Sequence, residues 1–403
     1  MAAQPTTASV APRPAAWPEL SSPSRAAAAR WSLRLYVTIA GALSAVSTVA
    51  PSLWPKGNAP PRSHMVLDRV FGNWLLWDGT WYLQIAEHGY SYRPNHQSSV
   101  AFFPLYPVLV RVLGAALPGG VPLAAVLTTI VSGAAVLVLF HRWCAARLSP
   151  SAARTATILL AVYPYAWFLY GAAYSDALFV ALVLGAFVLV ERDQPLWAGV
   201  VGAFATATRP TGVALLIGLV AVTLHRRGAF RSGWVQRLRP KDLGVLVAAA
   251  GLALWCAYLA LRFKNPLAFV ETEGAQGWDQ APGLHTWMKH WFFWHLSHDG
   301  WTDSLKLVVQ ALACVGFLAA VPAVWKRFGW GYGAYVLVAV LLPTMSTSDF
   351  NGAGRYLLAA FPVFAIVGGA IDPRPLLRRA VPFVSAIGLV FGTSLFASGY
   401  LLT

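Results

Sequence analysis

Charge is scarce in this sequence. Only 11% of its 403 residues are Asp, Glu, Lys or Arg, against about 25% in soluble globular proteins, and that shortage excludes a water-soluble enzyme. Cysteine is scarcer still. Cys144, Cys256 and Cys314 are too few and too widely spaced for a disulfide framework or a zinc cluster. No spacing of histidines and carboxylates matches a paired metal-ligand pattern, so no cofactor is expected, while a metal requirement stays open. No internal repeat is visible.

What is abundant is apolar: 57% of the residues are hydrophobic and 18 are Trp. A helix needs about 20 apolar residues to cross a bilayer. Runs near that length lie at 34–54, 121–143, 155–171, 174–191, 195–208, 211–225, 243–262, 304–326, 329–343, 357–371 and 380–400. They predict an all-α polytopic membrane protein with about eleven transmembrane helices. Residues 1–33, rich in Ala, Pro, Ser and Thr, read as a disordered cytoplasmic tail, and 34–403 as one membrane-embedded domain. The segment 101–117 contains Pro104, Pro107 and Arg111 and reads as a helix lying on the outer surface. With that choice most of the 30 basic residues fall on one side of the membrane and the other side is nearly neutral. By the positive-inside rule the amino terminus is then cytoplasmic and the carboxyl terminus outside. The excess of +15 is thus a topology signal, and nucleic acid is not expected as a partner.

Two outer loops are long, 55–120 and 263–303, and loops of that length are usually functional. In the first, Trp74, Trp77, Trp81 and Ile85 recur at helical spacing and predict an amphipathic interfacial helix. Asp78 borders its apolar stripe, a favourable setting for a general base; it also suits a helix-initiating carboxylate. His88 could donate to a phosphate or sit wet at the surface. The breaks at Tyr174–Asp176 and Arg209–Pro210 read as tight turns at a membrane face, since mid-bilayer charge is costly.

WDGTWYLQIAEHGY (77–90) followed by AFFPLYP (101–107) resembles the opening outer loop of the PIG-V family, which comprises the eukaryotic GPI mannosyltransferase 2 enzymes and bacterial relatives. YPYAWFLYGAAYSDALF (163–179), ATRPTG (207–212) and GRYLLAAFP (354–362) resemble later elements of the same family. Two departures stand out: Asp176 replaces the more usual Glu, and 263–303 matches only loosely. The resemblance implies a GT-C glycosyltransferase, a hexosyltransferase taking mannose from a polyprenyl-phosphate donor to a lipid or glycan acceptor at the outer face of the plasma membrane. It makes Asp78 the base.

An inverting transfer also needs cations for the leaving phosphate. Arg209 and Arg355, at outer turns with apolar flanks, suit that role, because a guanidinium matches phosphate in a bidentate way. Asp176 would orient the sugar, pair with Arg209 or simply cap a helix. Trp81, Tyr82 and His88 complete the expected substrate-binding set. Glu271, Glu273, Gln276, Trp278 and Asp279 could recognise the acceptor, with a solvated loop as the simpler reading. A flippase of a lipid-linked sugar is the alternative function, but it usually carries ionisable groups within its spans or interrupted helices in repeats. A purely structural membrane protein is the third reading.

Overall fold

The computed structural model describes residues 22–59, 64–65 and 67–402. Most of the tail expected at 1–33 therefore lies outside the described residues. From Ser22 onward, however, the chain is already helical, because the Ala run 26–29 is a strong helix former that extends the first apolar run backwards. Helix α1 spans Ser22–Leu53. After it come α2 (Asp78–His88), α3 (Leu105–Ala116), α4 (Gly120–Ala145), α5 (Pro150–Ala161), α6 (Asp176–Glu191), α7 (Pro195–Thr206) and α8 (Gly212–Arg226). A 3-10 segment, Pro240–Ala249, leads into α9 (Ala250–Phe263). The rest comprises α10 (Ala268–Glu273), α11 (His290–His298), α12 (Trp301–Phe328), α13 (Trp330–Ser346), α14 (Pro362–Ile371) and α15 (Pro375–Ala397).

Among the described residues there is no strand; most of the expected apolar runs coincide with helix, but the run 155–171 is α-helical only to Ala161 and continues as a turn and the 3-10 piece Ala166–Leu169, and 357–371 is broken before Pro362. Five of these helical stretches are long and apolar enough to cross a membrane: 26–53, 120–145, 240–263, 304–328 and 375–397. A sixth candidate is the pair 353–359 and 362–371, bent by 83° at the break before Pro362. Helix α3, at 12 residues, measures about 18 Å and is too short to cross.

Helix α6 shows how the fold sorts its charges. Its 16 residues make about 24 Å of helix, almost wholly apolar, with a buried acid at each end. At the carboxyl end Glu191 accepts hydrogen bonds from Arg147 and from the Tyr332 hydroxyl. Beyond it, Arg227 bridges Asp242 (2.7 and 2.8 Å) and Asp193 (2.8 Å). Asp176, at the amino end, belongs to a different cluster.

The 264–300 loop is pinned at two points. Phe269 packs on Phe103 (5.2 Å between ring centres), and Trp278 on Trp81 and Phe102 (both 6.0 Å). Farther along, the buried Lys289 amino group donates to the carbonyls of Thr344 and Thr347 at the end of α13 and lies 4.7 Å from the Phe350 ring. A cation suits the negative end of a helix. Burial nonetheless lowers its pKa to about 8, against the opposing pull of Asp349.

Candidate active site

Four segments far apart in sequence converge at the amino end of α6. The first is the start of α2. Trp77 takes a φ of +58°, unusual for a bulky residue, and helix begins only after it. Trp74 and Trp77 therefore lie outside the helix expected from their spacing, while Ile85 is buried as expected, together with Gly79, Tyr82, Leu83 and Ala86 of α2. The strained turn is held by several bonds: Gly79 N–H to the Leu76 carbonyl, Thr80 N–H and Oγ1 to the Trp77 carbonyl, and Asp78 N–H to the Tyr174 hydroxyl at 3.0 Å.

The second segment is the turn before α6, where the Tyr82 hydroxyl meets Ser175 Oγ at 2.8 Å. Asp176 follows as the first residue of α6, 1% exposed. The third is the turn between α7 and α8, tied to the first outer loop by Leu105 N–H on the Ala207 carbonyl at 2.9 Å. It carries Arg209, whose buried guanidinium bonds Asp176 Oδ1. The fourth is the one-turn helix Ala353–Tyr356. Gly352 supplies the left-handed entry (φ +76°), and at Gly354 a Cβ would stand 2.6 Å from the Tyr165 ring. Glycine alone permits that approach, which delivers Arg355 to the site.

Arg355 Nη1 donates to Asp78 Oδ2 at 2.9 Å. Its guanidinium also lies 5.2 Å from the Tyr356 ring centre, and that of Arg209 lies 4.6 Å from the same ring. Asp78, Arg355, Tyr356, Arg209 and Asp176 thus form one continuous chain in which two guanidinium groups flank a single tyrosine and a carboxylate closes each end. Asp78 is the most accessible carboxylate in it, 32% exposed in its side chain. Among the described residues, polar groups buried here without a hydrogen-bond partner include Asp176 Oδ2, Arg355 Nε and Gln310 Nε2, the last from a side chain whose Oε1 accepts the Gly354 N–H. Buried polar groups are normally satisfied, and these leave both donors and acceptors open beside the Asp78–Arg355 pair.

Two expectations change. His88 points into solvent, 74% exposed, ten residues and about 15 Å of helix beyond Asp78, and takes no part in this cluster. Glu273, on a loop expected either to recognise the acceptor or to be solvated, is half-buried, and its loop packs through Trp278 on Trp81, one turn into α2 from Asp78, so that the charges of Asp78 and Arg355 act on it. Burial raises its pKa to about 7; the charge of Asp78 adds to the rise and that of Arg355 opposes it. Trp81 stacks with Phe102 at 5.7 Å and meets Trp278, so it supports the loop carrying Glu273. Among the described residues no group of three or more His, Cys, Asp or Glu side chains could hold a metal ion.

Comparisons with known proteins agree with this architecture. In sequence the chain is 28% identical over 317 residues to GPI alpha-1,6-mannosyltransferase 2 of Mus musculus, covering 70% of this chain and 61% of the mouse protein. It is 30% identical over 236 residues to the Rattus norvegicus protein of that name, covering 54% and 45%. The chain thus spans about three fifths or less of these relatives. In structure it resembles ArnT from Cupriavidus metallidurans in the apo state, with a TM-score of 0.50 at 15% identity, over 93% of this chain and 77% of ArnT. The same protein bound to undecaprenyl phosphate gives 0.50 at 17%, over 91% and 76%. At such identity the likeness shows a shared GT-C membrane fold. The family model described as mannosyltransferase (PIG-V) matches residues 43–271, more than half of the sequence, and the chain belongs to that family.

Proposed function

We propose that this protein is an inverting membrane mannosyltransferase, using a polyprenyl-phosphate mannose donor and a lipid or glycan hydroxyl as acceptor, with its site on the outer face of the plasma membrane. The observation that carries the reading is the pairing of an accessible carboxylate, Asp78, with a buried guanidinium, Arg355, in a member of this family.

The acceptor hydroxyl attacks the anomeric carbon while Asp78 removes its proton. The bond from that carbon to the phosphate oxygen breaks, and the polyprenyl phosphate leaves with its charge held by Arg355 and Arg209. A guanidinium has five donors, and Arg355 still has Nε unclaimed. Asp176 is a positioning residue, because its bond fixes Arg209 against Tyr356. The donor's tail finds room in an apolar cleft of about 510 Å³ between α3, α7 and α9, lined by Tyr90, Leu105, Val108, Phe204, Leu254 and Trp255. Ala207, also on its wall, is two residues from Arg209. That ArnT has been solved with undecaprenyl phosphate supports a lipid phosphate here by analogy. The basic excess on the loops at the Glu191 end of the fold supports the orientation.

The test is reconstitution of purified protein in vesicles with labelled polyprenyl-phosphate mannose and candidate membrane acceptors. The expected product carries mannose in a new glycosidic bond. Transbilayer movement of the labelled lipid with no bond formed would replace this reading by the flippase.

A further inference from the structure

Among the described residues, no partner claims one carboxyl group on which the charges of Asp78 and Arg355 act. Glu273 ends the six-residue α10, which packs through Phe269 on Phe103 and abuts the 99–101 turn. Five residues later Trp278 rests on Trp81, one helical turn beyond Asp78. The segment is therefore fastened on both sides of Glu273, and its position over the start of α2 follows from packing. Its neighbours are committed elsewhere. The Glu271 carboxylate takes the Asn265 amide at 2.7 Å, and that of Asp279 takes the Gly277 N–H at 3.0 Å. Among the described residues no hydrogen bond or ion pair holds the carboxyl of Glu273, and the Arg355 guanidinium, whose charge acts on it, is already engaged by Asp78.

We infer that Glu273 reads the sugar of the donor, its carboxyl hydrogen-bonding a hydroxyl of the residue being transferred. The inference rests on the function proposed above. In that reaction the sugar sits against the base and the cation that takes the departing phosphate, and the loop of Glu273 packs over the start of the helix that carries that base, Asp78. A carboxyl left half-buried next to a carboxylate is unfavourable until something pairs with it, and a sugar hydroxyl is a partner that brings no charge. With a pKa of about 7, Glu273 is partly neutral at physiological pH and can both donate and accept. The groups acting on it are Asp78 and Arg355; the 99–101 turn against α10 contributes Ser, Val and Ala only.

The experiment is binding to the full chain in detergent, without acceptor, of two short-chain probes: prenyl-phosphate mannose and the same prenyl phosphate without sugar. The wild type is expected to prefer the mannosyl probe by about tenfold, the scale of a hydrogen bond in a desolvated site. Glu273→Ala should bring the two probes within about threefold at pH 6, and Glu273→Gln, which can still donate and accept, should keep the preference. Between pH 6 and pH 8 binding of the mannosyl probe should weaken in the wild type, as Glu273 acquires charge beside Asp78, and stay level in Glu273→Gln. An undiminished preference in Glu273→Ala, or equal pH dependence in wild type and Glu273→Gln, overturns the inference. Failure of the wild type to bind either probe would instead remove the proposed function. The outcomes are thus separable.

Discussion

Replacing Asp78 by Asn removes a proton acceptor and almost nothing else. The amide has the size of the carboxylate, and its oxygen can still accept the bond from Arg355 Nη1, now 2.9 Å long. Loss of a positioned general base costs about 10²–10⁴ in rate, or about 3–5 kcal/mol of barrier. The cost in folding is smaller. Asp78 is one-third exposed, so its ion pair is partly screened, and exchanging a charge-assisted hydrogen bond for a neutral one removes about 1–2 kcal/mol. Mannosyl transfer in vesicles should therefore fall at least a hundredfold while the detergent-purified variant melts only a few degrees lower. A variant that transfers mannose within tenfold of the wild-type rate would refute the role assigned to this carboxylate, and a collapse of folding would refute the separation of the two costs.

Arg209→Ala leaves Asp176, 1% exposed, as an unpaired buried charge, which costs about 3–5 kcal/mol; a large drop in melting temperature is expected, with partial recovery in Arg209→Lys, which restores charge but not the planar fork. Lys289 provides a pH signature unrelated to turnover. Its folded pKa of about 8 lies below the ordinary lysine value of 10.5, so the unfolded chain holds the proton more tightly across that window. Wild-type stability should accordingly rise between pH 8 and pH 10 relative to Lys289→Met, and parallel melting curves across that range would disprove the assignment.

The sequence showed the helices because apolar runs of this length have few other uses. It showed Asp78, Asp176, Arg209 and Arg355 because each breaks or borders such a run at a turn, where charge stands out. The misreadings have physical causes. Residues 22–33 read as polar tail, yet alanine carries intrinsic helix preference that a count of apolar residues overlooks. Trp74 and Trp77 keep the period of a helix while the backbone at Trp77 does not, since periodicity reports side-chain spacing and is blind to a single positive φ. His88 shares a motif with Asp78, but a straight helix carries it out of reach. Glu273 stood in the sequence only as one of several acids and polar residues in a loop: Asp78 and Arg355, whose charges act on it, are 195 residues before it and 82 after it, and the packing of Phe269 and Trp278 that places its loop is a tertiary matter.

Helix α6 fixes how deep this chemistry sits. Its two buried acids are separated by only about 24 Å of helix, whereas the hydrocarbon layer of an average bilayer is about 30 Å thick. Where the lipid does not thin to match α6, its Asp176 end lies several ångströms beneath the phosphate plane, which raises the cost of bringing a charged headgroup to Arg355. Bilayer thickness thereby becomes a variable of the reaction: shorter acyl chains should quicken transfer and longer ones slow it, with no change to any residue.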